Sequence, residues 1–358
     1  MNHLEVRMAR DLAALRAQVS AQAAKVEQAI RQAVRALQTG NQDLAQATIL
    51  ADHGVNRGMR EIDLLCHGFI AVHLPSAGIL RLLSSVIRVN IELERIGDYA
   101  VTISREAVQL SQVPDGHLAR EIDWVAGTTL LMLRQSIAAF NEQNGDLARG
   151  ALGMAGQIAT HLDGVYELLM DNPESLSIRD LLAVFVTFNL LKRVADQSKN
   201  ICEETLFSAL GEMKTRKPVR ILFLDQDDSL LGPLAVAIGR VNFPASGRYQ
   251  SAGRQPAAAV NPRLLNFMQS RGLDLAAAAP VGLASLTRAD LGDQKLVVSL
   301  QGPVRSYIPR LPFHTAALEW NLAEVPAEPD DAQLENLYRH LALLIQDLMH
   351  LLRGPDAQ

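Results

Sequence analysis

The feature that most constrains the fold of this 358-residue chain is an internal repeat. Residues 86–110 read VIRVNIELERIGDYAVTISREAVQL, and near residue 190 the chain reads LLAVFVTFNLLKRVADQSKNICEETL. The two stretches align without a gap, with Arg81 and Arg179, and Glu94 and Lys192, each 98 positions apart. Self-similarity at a fixed period marks a duplicated supersecondary unit. In the first copy Leu93, Ile96, Ala100, Ile103 and Ala107 form one apolar stripe at helical spacing, as in a helix packed along one side. Glu94 and Asp98 lie almost opposite that stripe, one turn apart, where like charges repel by roughly 0.2–0.5 kcal/mol. A bound cation would remove that repulsion.

The pattern around the repeat is helical. Leu12, Leu15, Val19, Val26, Ile30 and Leu37 predict a helix over about residues 5–37, ended at 39–41. A second helix starts near Leu44, carries Ile49, Val55, Met59, Ile62 and Leu65 inward, and stops at Pro75. The turn Val113-Pro114-Asp115-Gly116 leads into a helix with Ile122, Val125, Leu130, Leu133 and Ile137. Asn144-Gly145 then opens a helix over 147–170, and residues 171–173 lead into the last, ending near Gly211. The expected organisation is two up-down-up three-helix units, 1–112 and 113–214. Beyond the boundary at 215–218 the texture changes to short apolar runs, VRILFLD, RYQSAG and KLVVSL, alternating with helices, the last over about 332–352. That alternation predicts an α/β domain with a parallel sheet over 219–352.

Composition narrows the classes. With 48% apolar and 20% charged residues the chain reads as globular, and no apolar run reaches the roughly 18–20 residues of a membrane helix. A net charge of −5 without basic runs argues against nucleic acid as a partner. The N-terminal residues mix charge into a helical pattern, unlike a secretory signal, so a cytoplasmic location is expected. Cys66 and Cys202, far apart and inside apolar helical patterns, are expected to be small core residues.

The block LERIGDYAVTISREA resembles the signature helix of the PhoU family, the cytoplasmic accessory proteins of bacterial phosphate uptake, and the likeness covers about residues 1–214. The resemblance implies two three-helix units side by side and Glu-x-x-x-Asp motifs that hold metal ions. It also implies regulation of phosphate transport and starvation signalling by contact, with the phosphate transporter ATPase and a phosphate-sensing histidine kinase as partners. A homodimer is compatible with it. In the first unit the candidate ligands are Asp52, Asn56, Glu94 and Asp98, all oxygen donors, suited to Fe, Mn, Mg or Zn. Asn56 stands where the family often has an acid, and a solvated acidic face is the competing reading. In the second unit Lys192 replaces Glu94, Asp196 remains, and Leu162 and Tyr166, each 110 positions on, are taken as the counterparts of Asp52 and Asn56. The second site is expected to be lost, with Lys192 and Asp196 forming a surface ion pair. Arg81 and Arg179 are each expected to bond the end of a neighbouring helix.

In the C-terminal part, residues 259–265, 270–275 and 319–324 resemble the low-molecular-weight tyrosine phosphatase and arsenate reductase family. That family carries a cysteine nucleophile after the first strand and, six residues on, a phosphate-binding arginine. Here those positions hold Asp225 and Leu231, while Ser229 and Pro233 match the pattern, and no cysteine follows Cys202. The resemblance therefore implies a pseudophosphatase, since thiolate chemistry requires a thiolate. Three carboxylates, Asp225, Asp227 and Asp228, are expected at the loop mouth and should repel phosphate. The rival reading takes Asp225 and Asp227 as the nucleophile and acid of a Mg²⁺-dependent haloacid-dehalogenase-type phosphatase, with Ser299 as its second motif. Against it, no lysine follows Ser299, and Asp330-Asp331 opens a helix.

Overall fold

The computed structural model describes residues 3–171, 177–213, 217–272, 279–312, 315–322, 326, 328–355 and 357–358. It divides into two compact units, Met1–Lys214 and Thr215–Gln358. The proposed boundary residues Thr215 and Arg216 lie outside the described residues, as do positions 172–173, 273–275 and 323–324 of the stretches quoted above.

The first unit is six helices: α1 (His3–Thr39), α2 (Gln42–His73), α3 (Ala77–Gln109), α4 (Gly116–Glu142), α5 (Gly145–Asp171) and α6 (Ile178–Leu210). Their ends follow from local chemistry. Asn41 and Asn144 cap α2 and α5, accepting the backbone N–H of Leu44 at 2.9 Å and of Leu147 at 3.0 Å. Just before each cap the chain turns left-handed, at Gly40 (φ 65°) and Gln143 (φ 52°). Gly211, also left-handed, closes α6 by donating to Leu206 and Phe207 carbonyls. α1, α3, α4 and α6 pack against one another, while α2 flanks α1 and α3, and α5 flanks α4 and α6. One continuous apolar core runs through both halves, from Leu15 and Val19 to Val194 and Ile201. Cys66 and Cys202 are buried free thiols, pushed up to about 12 by burial. They are core residues.

α3 and α6 run antiparallel along a polar seam. Arg88 pairs with Glu204 at 3.1 Å, Asn200 donates weakly to Glu92 at 3.4 Å, and Gln197 Nε2 donates to Tyr99 Oη at 3.1 Å. Tyr99 and Gln197 are one repeat apart, so counterpart residues meet here. Arg81 and Arg179 are exposed and make no hydrogen bond to a helix end among the described residues, contrary to expectation. Their matched register puts both on a solvated face, where water already satisfies a guanidinium.

The second unit is a four-stranded parallel sheet of order β2-β1-β3-β4, with β1 (Val219–Asp225), β2 (Gly247–Gly253), β3 (Leu296–Ser299) and β4 (Ala316–Glu319). Both faces of β1 are buried: Ile221 and Phe223 join one cluster, Leu222 and Leu224 another. This is why it reads as a continuous apolar run. α7 (Leu231–Asn242), α8 (Pro262–Ser270) and α11 (Asp331–Arg353) cover the first face; two short helices, α9 (Arg288–Gly292) and α10 (Val304–Tyr307), complete the unit. Asp330, rather than closing a strand, is the N-cap of α11 in a capping box with Gln333. The chain crosses in opposite directions from β1 to β2 and from β3 to β4. The loop after β1 therefore lies at the topological switch of the sheet, where open α/β sheets form their crevices.

Candidate functional site

The four proposed ligands of the first half lie on the α2–α3 surface. Asp52 and Asn56, one turn apart on α2, are half-buried, and Asn56 Nδ2 donates to Asp52 Oδ2 at 2.6 Å. The other oxygen, Asp52 Oδ1, is buried and has no hydrogen-bond partner among the described residues. Gly97 lets α3 come close here, because a Cβ at that position would stand 3.3 Å from Asp52 Oδ1 and 3.1 Å from a Val55 methyl. On α3, Glu94 is half-buried and Asp98 exposed. Burial, then the charge of Asp98, raises the pKa of Asp52 above the usual aspartate value. Burial, then Asp98 and Asp52, does the same for Glu94. Three carboxylates thus repel one another across two helices, with one oxygen already desolvated and unsatisfied. Among the described residues, no three His, Cys, Asp or Glu side chains are arranged to hold an ion as they stand.

In the second half the capping asparagines set the register of the outer helices. Asn41 and Asn144 are 103 positions apart, and at that spacing the buried residues coincide: Ala45 with Ala148, Thr48 with Ala151, Val55 with Ile158, Ile62 with Val165. The counterparts of Asp52 and Asn56 are therefore Ala155 and Ala159, not Leu162 and Tyr166. Leu162, 1% exposed, is a core residue. The expected register was too long because the first half carries its extra residues in the stretch from α2 to α3, after the ligand positions. Both readings remove the ligands, and the corrected one replaces them with methyl groups. Lys192 and Asp196 make no ion pair among the described residues, contrary to expectation. A lysine N-terminal to its acid by one turn has the less favourable orientation on a helix.

In the C-terminal unit Asp225 ends β1 and is 2% exposed. Its carboxylate accepts the backbone N–H of Asp228 at 2.6 Å and of Gly232, in the first turn of α7, at 2.8 Å. Burial pushes its pKa up to about 7 despite those two donors. Asp228, left-handed at φ 53° and 1% exposed, turns inward and accepts Val281 N–H at 2.7 Å. Burial raises its pKa as well. Asp227 accepts both N–H and Oγ–H of Ser229, at 3.0 and 2.9 Å. Leu231 packs into the core, 4% exposed. The expectation of three charges at the loop mouth is thus corrected: two carboxylates face inward, because buried backbone donors need acceptors and these side chains supply them. Ser299 Oγ–H donates to Gly302 and Gln301 carbonyls, at 2.7 and 3.0 Å. Asp225, Asp227 and Ser299 are each bonded within their own loops.

The polar seam between α3 and α6 escaped the reading of the sequence. Arg193, counterpart of Arg95, lies over the Tyr99 ring at 4.8 Å, and Glu92 has its pKa raised by burial and, to a lesser degree, by Glu204. The only available signal was the repeat itself, which puts Tyr99 and Gln197 in one register.

The PhoU domain matches twice, over residues 19–107 and 122–205. A phosphate-specific transport system accessory protein PhoU homolog of Pseudomonas putida is 30% identical over 217 residues, covering 59% of this chain and 83% of that protein. The crystal structure of PhoU from Pseudomonas aeruginosa is similar with a TM-score of 0.53 and 27% identity, over 57% of this chain and 99% of its own. An arsenate reductase in the phosphate binding state is similar over 36% of this chain and 95% of its own, with a TM-score of 0.31 and 14% identity. With two PhoU domains in tandem and a relative matched over most of its length, the chain belongs to the PhoU family.

Proposed function

We propose that this chain is an accessory protein of phosphate transport that acts by contact in the cytoplasm, through its helical unit, on the phosphate transporter ATPase and on a phosphate-sensing histidine kinase. The observation that carries this reading is the paired PhoU domain, together with relatives named as accessory proteins of phosphate-specific transport. The chain's own contribution is an asymmetric one. Asp52, Glu94, Asp98 and the amide oxygen of Asn56 would hold Fe, Mn, Mg or Zn on the first half only. The buried, unpartnered Asp52 Oδ1 and the mutual repulsion of the three carboxylates fit a cation. A bound ion would supply positive charge and fix the α2–α3 surface; to hold it through the amide oxygen, Asn56 would give up the hydrogen bond that its Nδ2 donates to Asp52.

The C-terminal unit, in this reading, is no phosphatase. A carboxylate nucleophile needs an open approach, and Asp225 is buried with both oxygens engaged. Phosphatase assay of the full chain with Mg²⁺ is expected to show no turnover that Asp225→Asn abolishes. For the contact role, a strain lacking the chain is supplied with the wild type or with Glu94→Ala/Asp98→Ala, and phosphate uptake is followed in phosphate-rich medium. Deletion is expected to alter uptake, the wild type to restore it and the double variant to fail. Uptake indifferent to deletion refutes the role.

A further inference from the structure

A cavity of about 550 Å³ opens in the C-terminal unit at the end of the sheet remote from Asp225. Arg220 enters it from the start of β1, Arg248 from the start of β2 and Arg240 from the last turn of α7, with Gln250 and Gln294 beside them. Arg220 is paired with Asp293 at 2.6 Å, a contact more than half exposed on both sides and so heavily screened. Arg240 donates to the Tyr249 carbonyl at 3.4 Å, and Arg248 to the Pro244 and Gly247 carbonyls at 3.1 and 3.2 Å. Neither meets a carboxylate among the described residues. The cavity therefore holds three guanidinium groups against one acid, an excess of positive charge in a chain whose net charge is −5.

Gln294 adds an independent observation. It is 5% exposed, and its Nε2 donates to Gln250 Oε1 at 3.0 Å and to the Asp290 carbonyl at 3.1 Å. Its Oε1 is buried and has no hydrogen-bond partner among the described residues. An unsatisfied amide oxygen on a residue that lines the cavity is costly, and it calls for a hydrogen-bond donor.

The geometry points to a binding site for a small phosphate monoester whose organic part carries a hydroxyl or N–H: Arg240, Arg248 and Arg220 take the phosphate, and Gln294 Oε1 accepts from the donor. Guanidinium forks match phosphate oxygens two at a time, and the volume suits a small organic molecule better than a bare ion. The loop at the opposite end of the sheet, whose donors hold the Asp225 carboxylate, does not compete for the same ligand.

Calorimetric titration of the full chain in chelator at low ionic strength tests this with ribose 5-phosphate, AMP, ribose and inorganic phosphate. At least one ester is expected to bind in about the 10–100 µM range, at least about tenfold tighter than inorganic phosphate, and ribose not at all. Arg240→Gln/Arg248→Gln, at exposed positions, should weaken the ester by at least about tenfold at an unchanged melting temperature. Gln294→Met should bring the ester down to the affinity of inorganic phosphate. Absence of ester binding, equal affinity for ester and inorganic phosphate, or binding indifferent to the double arginine substitution would each overturn the assignment. Should Gln294→Met not fold, the arginine variant and the ester-to-phosphate ratio still decide.

Discussion

The two halves of the helical unit share their skeleton and differ at their surface. Asparagine caps both outer helices, a left-handed residue precedes both caps, and the buried positions of α2 and α5 coincide at one register. Yet where α2 and α3 present Asp52, Asn56, Glu94 and Asp98, the second half presents Ala155, Ala159, Lys192 and Asp196. Packing constrains the core positions of both copies alike. The positions outside the core are free of that constraint, so a duplicated fold can keep its shape while its surface chemistry diverges.

The sharpest way to break this comparison is through the register. Leu162→Asp places a carboxylate in the core and is expected to cost roughly 3–5 kcal/mol, whereas Ala155→Asp, at the position matching Asp52, should cost less than about 1 kcal/mol. Urea denaturation of the two variants measures the difference, and similar costs would mean that the corrected register is wrong.

Next in size is the contrast between a carboxylate open to a cation and one closed on its own backbone. Asp225 has a folded pKa of about 7, above the ordinary 3.8, so the folded chain holds an extra proton between those values. Stability from this group is thus full below about pH 4 and is lost as pH rises to about 7, by a few kcal/mol at most. Denaturation followed at Trp320, with Trp124→Phe removing the other tryptophan, should show that slope, and Asp225→Asn should flatten it.

Metal content comes third. Glu94→Ala/Asp98→Ala should weaken metal binding by at least about tenfold, while Asp196→Ala leaves it unchanged. Grafting Ala155→Asp, Ala159→Asn and Lys192→Glu together should raise the metal found by elemental analysis from one ion per chain to two. Metal retained by the double variant places the site elsewhere.

The smallest effect concerns the metal-free first half. Burial and the neighbouring carboxylates raise Asp52 and Glu94, so the folded state binds protons more readily than the unfolded one. In chelator, stability should fall as pH rises above the ordinary carboxylate range, by no more than about 1 kcal/mol after solvent screening. Asp52→Asn should reduce the slope, and so should a divalent cation.

Much of the fold was legible in the sequence because long helices carry long periods. The repeat, the Asn41 and Asn144 stops and Pro75 placed the six helices within a few residues. β1 stood out as a doubly buried apolar run. β4 did not: Ala316-Ala317-Leu318-Glu319 is a fully exposed edge strand without β-branched residues, and only pairing with β3 makes it a strand. At the candidate site, residue types and spacing on one helix were legible. The partner positions of the second half were not, since they depend on where between α2 and α3 the extra residues fall. Nor was the inward turn of Asp225 and Asp228, which depends on which backbone donors the folded loop leaves unsatisfied.

The hydrogen bond between Tyr99 and Gln197 has a bearing on ancestry. In a two-fold dimer of a single three-helix unit, a residue on the axis meets its own copy and must be complementary to itself. Joining the copies in one chain lifts that condition. Tyrosine can face glutamine, and Arg193 can cover the Tyr99 ring while its counterpart Arg95 turns to Glu92. The fused chain thereby acquires two unlike sides across one axis, so that each face can be altered by a single mutation without altering the other.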